Sequence, residues 1–214
     1  MEYRKQISAM KDESKSNVAR IAYQLFLKNG VENVTLNDVA KEAGIAATTL
    51  YRYFGDKQHL LLECGLLYWN ESLQFNSPSC EPGYSELTGF DQFKALYSTF
   101  SRAFSDYSPH LRFLEDFDYY VKKTLLPADT MTSYEQALQG WYQSSKSAFE
   151  KGLADKTIRP GIDFDIFYFT STRLLLSFIV RMASPSNLVP GDAIVPVNTQ
   201  VETAIDMVLS YIRA

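Results

Sequence analysis

The sequence predicts an all-α fold, on three observations. Apolar residues recur at intervals of three and four along most segments long enough to show a pattern. No stretch alternates apolar and polar residues for long, as a half-buried strand would. The punctuation is of helix type, with Thr35 and Asp56 placed as N-caps and Gly44 as a left-handed stop. At 214 residues, 46% apolar and 21% charged, the chain has an ordinary globular composition and room for a full core. Its organisation reads as a small N-terminal domain over 1–60 and a larger helical domain over 61–214.

Residues 1–13 are a charged lead-in, either disordered or an extension of the first helix. From Ser14 or Asn17 a helix carries Val18, Ile21, Ala22, Leu25 and Phe26 on one face and stops near Asn29 and Gly30. Thr35 and Asp38 form a capping box, so the next helix starts at Leu36, with Val39, Ala40 and Ala43 inward. Gly44 ends it, Ile45 fills the corner, and a helix from about Ala47 sends Leu50 and Phe54 inward. Thr48, Thr49, Tyr51, Arg52 and Tyr53 are left outside. Asp56 caps a helix from about Lys57 to Leu73 that links the two domains. Residues 76–89, NSPSCEPGYSELTG, read as a loop.

The larger domain continues with helices at about 91–107, 109–125 and 132–152. Asp163 begins a long apolar helix to Met182, and after a loop with Pro185, Pro190 and Pro196 a last helix spans 198–213. The apolar helix is interrupted by Asp165, Arg173 and Arg181, and no run approaches the ~18 apolar residues of a membrane span. The first dozen residues are polar and lack a signal-peptide pattern. A cytoplasmic protein with no membrane partner is therefore expected, with Cys64 and Cys80 as reduced thiols.

The net charge of −4 argues at first against a nucleic-acid partner. Its distribution argues otherwise. Residues 1–60 hold nine Lys/Arg against seven Asp/Glu, whereas 61–214 hold twelve against eighteen. Only the N-terminal part is positive, as expected if it alone meets phosphate. The excess is small, so placement matters more than count.

The segment 35–57, TLNDVAKEAGIAATTLYRYFGDK, has what a helix-turn-helix needs: small residues at the crossing, a glycine turn, and a second helix with polar exposed positions. It looks like the DNA-binding domain of the TetR family of transcriptional repressors. The resemblance rests on Thr35, Ala43-Gly44, Leu50-Tyr51-Arg52-Tyr53-Phe54 and Lys57, and it covers about residues 14–75. The departure is at Ala46-Ala47, where a serine often caps the recognition helix.

The chemistry of the segment assigns its contacts. Thr35 and Lys57 stand at helix starts, whose partial positive charge suits phosphate. Tyr51 and Tyr53 add hydroxyl donors to the backbone. Base readout falls to Arg52 for guanine, Asn37 for adenine, and Thr48 and Thr49 for thymine methyl or polar contacts, while Ala47 offers a methyl. Arg52 could instead bind phosphate, and Asn37 could be a solvated first-turn residue.

The resemblance further implies a dimer built on the last two long helices, here through Phe167, Leu174, Leu175, Phe178, Val201, Ile205, Val208 and Ile212. The alternative that both helices are simply core stays open. Two recognition helices about 34 Å apart would then read a palindromic operator. It also implies an inducer pocket in the aromatic half, for which Phe100, Phe104, Phe113, Glu115, Phe117, Tyr120, Trp141 and Tyr142 are candidates. An inward carboxylate among Glu115, Asp116 and Asp118 would suit a cationic or hydrogen-bonding aromatic ligand.

No nucleophile elbow, phosphate loop, dinucleotide fingerprint or His-Glu-x-x-His pair occurs in the sequence, and His59 and His110 lack paired ligands. Neither an enzyme, a metal site nor a cofactor is expected. The expectation is a ligand-responsive repressor with three partners: duplex DNA, a second copy and a small inducer. The alternatives are a helix-turn-helix protein that grips a protein partner and a small-molecule enzyme.

Overall fold

A computed structural model describes residues 2–75, 78–122, 128–183 and 194–214. Pro185, Pro190 and the expected helix end at Leu125 lie outside the described residues, as do the side chains of Trp69, Leu73, Cys80, Tyr107, Asp118 and Tyr134. The helices are α1 (Glu2–Asn29), α2 (Leu36–Glu42), α3 (Ala47–Phe54), α4 (Lys57–Phe75), α5 (Gly89–Lys122), α6 (Ala128–Ala154), α7 (Phe164–Ala183) and α8 (Val197–Ile212). Two short 3₁₀ turns, Pro78–Cys80 and Tyr84–Glu86, lie in the expected loop. Among the described residues the one strand-like pairing is an isolated bridge between Ile158 and Arg213, so the fold is all-α.

The structure decides between alternatives at one boundary and departs from the sequence reading at another. The charged lead-in is helical from Glu2, so of the two alternatives it is the extension. The helices expected at 91–107 and 109–125 are one helix, with Pro109 inside α5. A proline removes one backbone donor, but the ladder on either side continues. In the turn before it, Ser108 Oγ donates to the Phe104 carbonyl at 2.6 Å, a local side-chain bond to the backbone.

The chain forms two compact units: Met1–Asn70 with Phe113–Tyr134, and Glu71–Arg112 with Glu135–Ala214. In the first, α1 buries Val18, Ala22, Tyr23 and Phe26. Phe113 of α5 stands edge-on to Tyr23 at 4.9 Å and stacks on Phe26 at 6.4 Å. The end of α5 is therefore core to this unit. Gly65 is where α4 meets α5, because a Cβ there would stand 2.5 Å from Cε2 of Phe117. One residue away, the buried Cys64 thiol donates to the Ala19 carbonyl at 3.4 Å, and burial beside the Glu63 charge pushes its pKa up.

The second unit is built on Phe93, which stacks on Tyr97 at 4.5 Å and meets Phe149 at 6.2 Å and Phe167 at 5.8 Å. The Tyr97 hydroxyl pairs with Ser171 Oγ at 2.7 Å, and burial pushes its pKa up. At the start of α5 backbone meets backbone: a Cβ on Gly89 would stand 1.9 Å from the Gly152 nitrogen. The Gly89 N–H donates to Asp155 and the Phe90 N–H to Thr157, so side chains cap the first turn.

Helix α7 bears on two expectations. By length and composition it is apolar enough to cross a membrane, and only 28% of that stretch is buried within the chain. Moreover, most residues assigned to the subunit contact face the chain's own core. Phe167, Leu175, Val201, Ile205 and Ile212 are buried, Phe178 and Val208 half-buried, and Leu174 exposed. The exposed apolar residues are instead Ile166 and Phe169 beside Leu174 on α7, and Met207 and Tyr211 on α8. A helix apolar on most sides carries more than one stripe at helical spacing, and periodicity alone does not say which meets the core.

Candidate nucleic-acid interface

The first helix of the pair is fixed by its cap. Thr35 Oγ1 accepts from the Asp38 N–H at 3.2 Å, while Asp38 Oδ2 accepts from the Thr35 N–H at 2.8 Å and its hydroxyl at 2.6 Å. These bonds satisfy two otherwise orphan donors and fix the entry into α2. They hold the Asp38 carboxyl below the usual carboxylate range. Val39 and Ala40 are buried beneath it, and Gly44 turns the chain at φ +65°.

Helix α3 is anchored by Leu50, fully buried, and Phe54, one turn on. That pair sets the rotation of the helix, leaving Thr48, Tyr51 and Arg52 exposed and Ala47, Thr49 and Tyr53 half-buried. Arg52 lies 5.8 Å from the Tyr53 ring, an aromatic face that supports the guanidinium. Thr35 and Asn37 are exposed on α2. The start of α3 has no side-chain cap; the N–H groups of Thr49 and Leu50 both donate to the Ala46 carbonyl. Gly55 ends α3 at φ +77°.

Lys57 opens α4, but its side chain turns inward. The ammonium donates to the Val31 carbonyl at 2.5 Å and lies 6.0 Å from the Phe26 ring and 5.7 Å from Tyr120. Burial lowers its pKa, against the charges of Glu32 and Asp116, which raise it. Asp56 caps α4 through the His59 N–H at 2.9 Å and also meets His59 Nδ1 at 2.7 Å.

The pocket candidates divide between the two units. Phe113 and Phe117 are buried in the core of the first, Tyr120 stands by Lys57, and Glu115 faces water. Asp116 is committed to the Val31 N–H at 3.2 Å, a long-range bond with no signal in the sequence. In the second unit, Phe100 meets Trp141 edge-on at 6.1 Å, and Phe104 is half-buried. Tyr142 donates to Asp165 at 2.6 Å, which raises the pKa of its hydroxyl.

A capped helix, a glycine turn and a second helix with a polar outer face define a helix-turn-helix protein. Residues 20–64 match the model of the bacterial regulatory proteins of the tetR family. An HTH-type transcriptional regulator of Staphylococcus aureus (strain USA300) is 48% identical over 48 residues, 22% of this chain and 26% of that protein. The chain thus spans about a quarter of the length of the curated relatives it matches. Beyond that segment the likeness is one of fold. A TetR/AcrR-family regulator of Thermobifida fusca YX-ER1 superposes with a TM-score of 0.61 at 17% identity, covering 94% of this chain and 100% of that one. For a TetR-family regulator of Marinobacter aquaeolei VT8 the TM-score is 0.59 at 17% identity, covering 96% and 98%. Residues 20–64 thus form a DNA-binding domain of the tetR type, and over nearly its whole length the chain shares the fold of solved TetR-family regulators.

Proposed function

We propose that the protein is a ligand-responsive transcriptional repressor of the cytoplasm, binding a palindromic operator as a dimer and released by a small aromatic or hydrophobic molecule held in the 61–214 domain. The observation that carries this reading is the outward set Thr48, Tyr51 and Arg52 on α3, held by the buried pair Leu50 and Phe54. Arg52 reads a base, Tyr51 and Tyr53 the backbone, and Asn37, Ala47, Thr48 and Thr49 complete the contact. Thr35 and Lys57 mark the helix starts that meet phosphate. A second copy covers the exposed apolar residues Ile166, Phe169, Leu174, Met207 and Tyr211. Ligand binding shifts α4 and with it the separation of the two recognition helices.

Fluorescence anisotropy with duplex DNA from beside its own gene tests the reading. Salt-sensitive, palindrome-dependent binding supports it, and its absence removes it. A thermal-shift screen for ligands, followed by DNA release, tests the response.

A further inference from the structure

We propose that Asp116 is a positioning residue for DNA reading, fixing both ends of the helix-turn-helix through the backbone of Val31; this rests on the DNA-reading function above. Val31 is fully buried in the turn between α1 and α2, four residues before Thr35. Its N–H donates to Asp116 Oδ2 at 3.2 Å, and its carbonyl accepts from Lys57 Nζ at 2.5 Å. One residue therefore joins the approach to α2, the exit from α3 and the end of α5, all within one compact unit.

The carboxylate is itself held in place. Phe113 and Phe117, on either side of it along α5, are buried against Tyr23 and Phe26 and against Gly65. Asp116 cannot slide along the unit without moving those rings. The segment that reads DNA is thus suspended between Val31 and Lys57, which meet at the Val31 carbonyl, while the N–H of the same residue is anchored by a charged acceptor. Bonds to charged acceptors are the stronger ones, and this one is part-buried. Hydrogen bonds to base edges depend on the pitch of α3, whereas attraction to phosphate tolerates small displacements. Loss of Asp116 should therefore damage sequence reading and spare non-specific binding.

The test uses the full chain, a duplex selected from a random pool for tight binding, and a scrambled duplex of equal length. Asp116→Ala is expected to speed amide exchange at Val31 and weaken the selected duplex about tenfold. Affinity for the scrambled duplex and the salt slope should be unchanged. Asp116→Asn, which keeps an acceptor oxygen, should restore most of the discrimination. Should Asp116→Ala unfold, Asp116→Leu, of similar shape and without an acceptor, takes its place. Equal losses on both duplexes, a loss on neither, or unchanged exchange at Val31 overturns the proposal. A wild type that selects no duplex overturns the DNA-reading function instead, and exchange at Val31 still shows whether Asp116 holds it.

Discussion

The ring of Phe117 occupies the space a side chain on Gly65 would need, with Cε2 2.5 Å from the position of an added Cβ. In an exposed helix, replacing glycine by alanine is worth roughly 0.5–1 kcal/mol. Here it forces a buried ring, and overpacking of that kind costs about 1–3 kcal/mol. Gly65→Ala is therefore expected to destabilise by about 1 kcal/mol, read as a lower urea midpoint at unchanged slope. Adding Phe117→Leu should recover part of the loss, because the two changes share one space.

The inward turn of the Lys57 ammonium separates two roles that the sequence left merged. Lys57→Met keeps the stem and removes the bond to the Val31 carbonyl. It should lower both the unfolding midpoint and operator affinity, with the slope of affinity against salt retained. A slope reduced by about one unit would instead place the ammonium on a phosphate. Arg52→Ala should leave the fold intact, since Arg52 is exposed, and reduce the ratio of operator to scrambled-DNA affinity.

Exposure, not apolarity, divides the two faces of α7. Leu174→Glu and Ile166→Glu place charge on side chains 60% and 70% exposed, and are expected to yield folded monomers in sedimentation. Phe167→Ala, on the buried face, should cost about 3–5 kcal/mol of stability. A dimer that survives both glutamates would show that this face meets no second copy.

The capping box at Thr35 makes α2 sensitive to acid. Hydrogen bonds from Thr35 hold the Asp38 carboxyl below its ordinary value, so the charged form belongs to the folded state. Its contribution is full above the unfolded value of about 3.9 and is lost as pH falls through the lower folded value. Asp38→Ala should therefore be less stable than wild type at pH 7, and the difference should shrink in acid. Urea unfolding of both at a series of pH values measures it.

The helix-turn-helix was legible because its determinants are local: Thr35 and Asp38 are three residues apart, and Gly44, Leu50 and Phe54 follow at helical offsets. Pro109 misled because a proline marks a helix break in isolation, while a long helix continues past one lost bond. The exposed face of α7 was not legible for a different reason. Phe167 and Ile166 are adjacent and equally apolar, and only the packed chain shows that one is inside and the other out. Asp116 on Val31 spans 85 residues and leaves no trace in spacing. Local chemistry could be read directly, whereas choices between equivalent apolar faces and bonds across the chain required the fold.

The thiol of Cys64 gives the first unit a built-in clock. Buried under the Ala19 carbonyl and held protonated, it meets a reagent in solvent only when α1 and α4 part. The rate at which such a reagent labels it counts those partings, so a molecule that stiffens or loosens this unit becomes visible without any DNA present.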